Sequence, residues 1–265
     1  MELTITVCIP SRLDNFDYLV ELCNSILNQK VLPNKTIVIA SGKPPEVLKN
    51  IIQINKDKLP PRLNVEFIIS SISGLSYARN LGVANTTTDI IIFGDDDDIW
   101  DPYRISSIKE VISNNSPCLA RHAHNELINN VIRKTSNRYN LPTNSFFVGT
   151  GNLIGGGSNF AGSLSIFKAI PFNEELRFCE DWEFWIRAII SGINIISIKS
   201  SLVSYRIHPN RMTSAFLMNY KYESMIRLKY IGQSLTLMIG LLLGLLKSTI
   251  KLVFLYLTKY LLRIK

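Results

Sequence analysis

The chain has 265 residues, of which 46% are hydrophobic and 19% charged, and its net charge is +8. That is ample apolar material for a buried core and too little charge for disorder, and it fits one α/β domain with an extension. The positive balance is uneven, because Lys247, Lys251, Lys259, Arg263 and Lys265 fall in residues 231–265, which hold no acid. The rest lacks the dense basic stripe, zinc-ligand spacing and aromatic–basic interleaving of a nucleic-acid reader, so nucleic acid is not an expected partner.

In chain order, Leu3 to Ile9 reads as a buried strand ended by Pro10. Phe16, Leu19, Leu22, Cys23, Ile26 and Leu27 recur at helical spacing. Thr36 to Ile39 predicts a second strand, Val47 to Ile54 a helix, and Val65 to Ser70 a third strand. Tyr77 to Ala84 then predicts a helix after Gly74, and Ile90 to Phe93 a fourth strand. This alternation defines βαβ units and a mostly parallel sheet. Ligands of such sheets bind outside the carboxyl ends of the strands. Pro10-Ser11-Arg12, Ala40-Ser41-Gly42 and Asp95-Asp96-Asp97-Asp98 all fall there.

The acidic run is the most informative of the three. Four adjacent carboxylates at the end of an apolar strand repel one another by on the order of a kcal/mol per pair at intermediate dielectric. A hard dication such as Mg²⁺ or Mn²⁺ relieves that repulsion and suits an all-oxygen ligand set. A solvated acidic turn is the alternative.

The second half is less regular. Gly149 to Gly162 is glycine-rich, as expected either where backbone approaches a ligand or in a flexible linker. Glu180-Asp181-Trp182 opens a helix running to Ile190, where acids in the first turn also stabilise its positive end. Ile193 to Ile198 and Leu202 to Tyr205 predict two late strands, followed by Arg206-Ile207-His208-Pro209-Asn210-Arg211. Arg206 and Arg211 are candidates to pair with phosphate oxygens, with solvated arginines as the alternative. Cys8, Cys23, Cys118 and Cys179 form no C-x-x-C pair and are expected to be reduced structural thiols, which suits the cytosol. The first residues read as a strand and lack the basic and long apolar segments of a signal peptide.

Over residues 4–214 the chain resembles a family 2 glycosyltransferase of GT-A fold. The resemblance rests on Val7-Cys8-Ile9-Pro10-Ser11-Arg12, on Leu22 to Gln29, and on Gly74-Leu75-Ser76-Tyr77-Ala78-Arg79-Asn80-Leu81-Gly82. It continues through Asp95-Asp96-Asp97 (the DXD motif), Asp98-Ile99-Trp100-Asp101-Pro102, Glu180-Asp181 and Tyr205-Arg206-Ile207-His208. It implies an α/β, Rossmann-like domain over residues 1–220 and an inverting, metal-dependent sugar transfer from a nucleoside diphosphate to a hydroxyl. The acceptor would be a polysaccharide or lipid-linked glycan.

By the same resemblance, Mn²⁺ or Mg²⁺ would be held by Asp97 and Asp95 with His208. Pro10, Ser11, Arg12, Ser41, Arg79, Asn80, Asp95 and Asp96 would bind the donor. Asp181 would be the general base, with Glu180 beside it; adjacent acids push each other's pKa values apart and keep one basic near neutrality. One departure stands out. Where the family commonly has an acidic residue after the second strand to hold the base, this chain has Ala40-Ser41-Gly42.

Tyr230 to Leu246 carries no charge, and the apolar pattern continues to Ile264, broken by Lys247 and Lys251. Gln233, Thr236, Gly240, Gly244, Lys247 and Lys251 fall on one stripe of a helix whose remaining circumference is apolar. Residues 221–265 are therefore expected to form an amphipathic or membrane helix, lying in the interface of an anionic bilayer or spanning it. Packing of Gly240 and Gly244 on a partner chain, giving a homo-oligomer, is the alternative. The expected place of action is the cytoplasmic face of a bacterial membrane. A sugar-phosphate nucleotidyltransferase and a non-catalytic membrane scaffold are the competing functions. Pro10-Ser11-Arg12-Leu13-Asp14 lacks the Gly-rich basic loop of the former, and the carboxylates count against the latter.

Overall fold

The computed structural model describes residues 2–135, 143–152, 155–207 and 216–263, with side chains up to Val253 apart from that of Phe216. Its first half alternates strands and helices: β1 (Ile5–Ser11), α1 (Phe16–Leu27), β2 (Lys35–Ala40), α2 (Pro45–Asn55), β3 (Val65–Ile69), α3 (Leu75–Ala84) and β4 (Ile90–Phe93). There follow β5 (Ile99–Trp100), α4 (Arg104–Asn115), β6 (Leu119–Ile128), β7 (Val131–Lys134), α5 (Ser145–Thr150), β8 (Ala161–Ser163) and α6 (Leu164–Ala169). The chain ends with α7 (Glu180–Ile190), β9 (Ile195–Arg206), α8 (Phe216–Tyr230) and α9 (Leu235–Arg263).

The strands form one sheet in the order β3-β2-β1-β4-β8-β6-β9-β5, with β7 on the side of β6. The β3-β2-β1-β4 half is parallel, whereas β8 runs antiparallel to both β4 and β6. The parallel half is thus as expected, and the sheet as a whole is mixed. Alternation along β1 sends Val7 and Ile9 into one apolar cluster with α1 and α4, and Cys8 into another with α3 and α7. Burial on both faces is why β1 and β4 read as mainly apolar runs.

Two strand limits differ from the sequence reading. β1 passes through Pro10, which pairs in register with Ile39. The ladder to β4 ends at Cys8–Phe93, so the missing N–H of Pro10 faces the side where no partner strand remains. The two late strands are one: β9 passes the polar Lys199-Ser200 step by a register shift against β6 between His122 and Ala123.

The C-terminal extension is packed on the domain. Ile226, Tyr230, Leu237 and Leu241 join the same core as Phe160, Trp182 and Trp185, and α8 runs through the expected 220/221 boundary. A Cβ at Gly240 would overlap the Phe146 carbonyl of α5, and one at Gly149 would meet the Leu237 carbonyl at 2.9 Å. The small-residue stripe therefore meets α5 of the same chain. For Gly240 and Gly244 that replaces the alternative of a contact with a second copy, whereas Gln233, Thr236, Lys247 and Lys251 of the same stripe are exposed. The opposite side, with Leu235, Leu242, Leu243, Leu246, Ile250 and Val253, is exposed.

Candidate active site

The ends of β1 and β4 bring two of the sequence-predicted loops together. Ser11, at the end of β1, donates its hydroxyl to Asp96 and accepts the Leu13 N–H at 2.9 Å. Ser41, at the end of β2, donates its N–H to the Ser11 carbonyl at 3.0 Å and is buried. The Arg12 side chain lies over Gly42, where a Cβ would meet its Cγ at 3.3 Å, and Arg12 pairs with Asp14 in solvent.

The four aspartates point to different tasks. Asp98 is turned inward: its carboxylate accepts the Ser158 hydroxyl at 2.7 Å and the Arg206 N–H at 3.1 Å. Ser158 in turn accepts the Asp95 N–H at 2.8 Å, so one serine fixes both ends of the acidic turn. Burial pushes the pKa of Asp96 up to about 7, against the lowering effect of Ser11. Burial likewise raises Asp95 and raises Asp98 well above the carboxylate range, and the neighbouring aspartates add to it. Desolvation is the main cause, so the turn is costly to ionise without a counter-charge.

Beneath the turn lies a layer that the sequence did not disclose. Arg104 of α4, fully buried, donates to the carbonyls of Phe93 (2.8 Å) and Ser158 and stacks on Trp100 at 3.7 Å. Its Nε donates to His122 Nε2 at 3.1 Å, while His122 Nδ1–H donates to the Ala123 carbonyl at 2.9 Å. Burial and the Arg104 charge push the His122 pKa down to about 3, so this histidine is a neutral acceptor. Arg206, a candidate for phosphate, is instead a brace: its Nε donates to the Asp97 carbonyl (2.9 Å), and its guanidinium pairs with Glu21 and covers the Tyr18 ring. His208 and Arg211 lie outside the described residues.

Glu180 and Asp181 open α7 without capping it. Glu180 accepts from Arg79 Nη1 at 2.9 Å, and Arg79 Nη2 lies 3.8 Å from Asp95 Oδ1. Arg79 therefore links the acidic turn to the acids of α7 from a fully buried position. A Cβ at Gly157 would overlap both the Arg79 guanidinium and the Asp95 carboxylate, which explains a glycine in the Gly-rich segment. Asp181 accepts its neighbour's N–H, from Trp182, at 2.7 Å, and the amide of Asn152 at 2.8 Å. Burial, then the charge of Glu180, pushes its pKa up to about 7 while Arg79 pulls it down. Asn80, an expected donor contact, is engaged elsewhere. It exchanges hydrogen bonds with the Phe172 main chain (2.8 and 2.9 Å) and donates to Glu174.

A Rossmann-like half-sheet whose strand ends gather recessed carboxylates, facing a second acid of raised pKa, is the framework of a nucleotide-sugar enzyme. The chain matches the model of glycosyl transferase family 2 over residues 6–170 and belongs to that family. It is 27% identical over 203 residues to the Escherichia coli UDP-Gal:alpha-D-GlcNAc-diphosphoundecaprenol beta-1,3-galactosyltransferase, covering 71% of this chain and 68% of that one.

Among solved structures it resembles S. aureus TarS (TM-score 0.65, 16% identity), covering 93% of this chain but only 43% of that one. The complex of TarS 1-349 with UDP-GlcNAc gives a TM-score of 0.68 at 15% identity, covering 93% and 72%. These likenesses establish the fold.

Proposed function

We propose that this glycosyltransferase moves a sugar, with inversion, from a nucleoside diphosphate donor to a hydroxyl of a lipid-linked or polymeric glycan. The observation that carries the reading is Asp181. It is a carboxylate recessed in the crevice that bears Asp95, held by Asn152 and the Trp182 N–H, with its pKa raised to about 7. A base poised near neutrality removes the acceptor proton as the new bond forms. Attack from the side of Asp181 places the departing diphosphate toward the carboxyl ends of β1 and β4, which is the basis for inversion. In this reading Ser11, Ser41 and Arg12 line the donor end, and Arg79 holds Glu180 in place beside the base.

The acidic turn fits a divalent cation. Asp95 and Asp97 offer hard oxygen ligands in a turn whose burial disfavours unpaired carboxylates. Among the described residues no cluster of three His, Cys, Asp or Glu side chains could hold an ion by itself. The reading therefore requires the donor's phosphates to complete the ligands of an Mg²⁺ or Mn²⁺ held by one or two carboxylates. Bound there, the ion would neutralise charge on the leaving diphosphate.

A nucleoside diphosphate donor is supported by the solved relatives, whose complexes contain UDP and UDP-GlcNAc. The lipid-diphosphate acceptor of the E. coli relative supports a similar acceptor here. Residues Leu235–Val253 are long and apolar enough to cross a membrane by length and composition. Because one side of α9 is docked on α5, we favour an in-plane helix on the cytoplasmic membrane surface. A thermal-shift panel of nucleoside diphosphates and nucleotide sugars with Mn²⁺ tests the reading, since a bound ligand raises the midpoint according to its concentration over Kd. No response to any nucleotide would refute it.

A further inference from the structure

Helices α8 and α9 enclose a cavity of about 340 Å³ that the transfer site does not use. That volume is at the lower end of small-molecule sites. Its walls are mainly Leu228, Ile231, Leu241, Leu242 and Leu245, joined by the polar Tyr220, Ser224 and Arg227. Leu228 and Leu242 are exposed at the rim, so the cavity continues into the apolar outer side of both helices. A mainly apolar space open to an apolar surface suits a hydrocarbon chain, which crosses from bilayer to cavity without meeting water.

Arg227 gives the cavity wall a cationic group. It is only 3% exposed, pairs with Glu223 at 3.0 Å and stacks on the Trp182 ring at 4.7 Å. Its Nε has no hydrogen-bond partner among the described residues. A buried, unpartnered guanidinium N–H is costly and is relieved by an anionic oxygen. The residue it stacks on directly follows Asp181, so this arginine connects the cavity with the helix bearing the base.

We propose that the α8/α9 cavity receives the hydrocarbon chain of a lipid-diphosphate acceptor, with Arg227 at hand for its anionic group. The proposal rests on the transferase reading and deepens it by assigning the acceptor's lipid a place on this chain. It differs from general membrane adhesion, which needs only the outer faces of the helices.

The test uses the full chain and three probes in vesicle-free buffer: a C15 isoprenyl diphosphate, a C5 isoprenyl diphosphate and the C15 alcohol. Calorimetry is expected to show the C15 diphosphate bound at least tenfold more tightly than either of the others. Leu245→Trp, which fills the cavity, should weaken the C15 diphosphate at least tenfold while UDP affinity stays within twofold. Arg227→Met should abolish the preference for diphosphate over alcohol. A C15 diphosphate that binds no better than the C5 compound would overturn the proposal. So would a Leu245→Trp protein that binds it normally, even if wild-type protein still adsorbs to vesicles. Failure of wild-type protein to bind UDP would instead count against the transferase reading.

Discussion

Arg79 of α3 donates to Glu180 of α7 at 2.9 Å, with both side chains buried and the two residues 101 positions apart. The pair ties the half-sheet that carries the acidic turn to the helix that carries the base. Removing one partner of a buried pair leaves an uncompensated charge and costs about 3–5 kcal/mol. Arg79→Met is therefore expected to lower Tm markedly, and Arg79→Met with Glu180→Met to recover much of the loss. A single mutant that melts with wild type would show that the pair does not bear on stability.

Asp181 sets the pH dependence. Its pKa is raised to about 7, and a base works only when ionised, so kcat should rise with pH through about 7 and level off above it. Asp181→Asn should lose that limb and about 10²–10⁴ of turnover, with donor affinity within a few fold. Near-normal transfer by the mutant would move the role to another residue.

Asp97→Asn is expected to remove most of the Mn²⁺-dependent gain in nucleoside diphosphate affinity, because a neutral amide is a poorer ligand for a hard dication. Calorimetry with and without Mn²⁺ reads this directly. Equal affinities under both conditions, in wild type and mutant alike, would dismiss the ion.

Lys247 is exposed on α9, which bears a broad apolar face. For an in-plane helix, Lys247→Glu should weaken binding to anionic vesicles by about 1 kcal/mol or more, and high salt should erase the difference. Binding that is indifferent to both charge and salt would favour a spanning helix.

β1 and β4 were legible because they are buried on both faces, so Val7 to Ile9 and Ile90 to Phe93 read as unbroken apolar runs. Glu180 was placed at the first residue of its helix. The β6 strand was not legible: Arg121 and His122 interrupt its apolar pattern, yet both are buried. The supports of the acidic turn and of Asp181 were equally hidden. Ser158, Arg104 and Asn152 become site residues only through contacts across the fold, and no local spacing distinguishes them. The docked side of α9 was misread for a related reason. Glycines at Gly240 and Gly244 mark a close approach without saying to what.

That approach leads to the last prediction. Gly240 abuts the Phe146 carbonyl, and α5 in turn accepts the Trp182 indole N–H at its Val148 carbonyl (2.6 Å). Two residues after α5 ends, Asn152 donates to Asp181. The helix α9 thus supports the strip of chain that orients the base. Gly240→Leu would force α9 off α5, and its effect should appear mainly in kcat, by tenfold or more, with donor KM within about threefold. Truncation before residue 231 should lower Tm as well, because Leu237 and Leu241 are fully buried in the core. Steady-state kinetics and thermal denaturation of both variants decide the matter. A Gly240→Leu enzyme with wild-type kcat, or a truncated chain with unchanged Tm, would show α9 to be a detachable anchor.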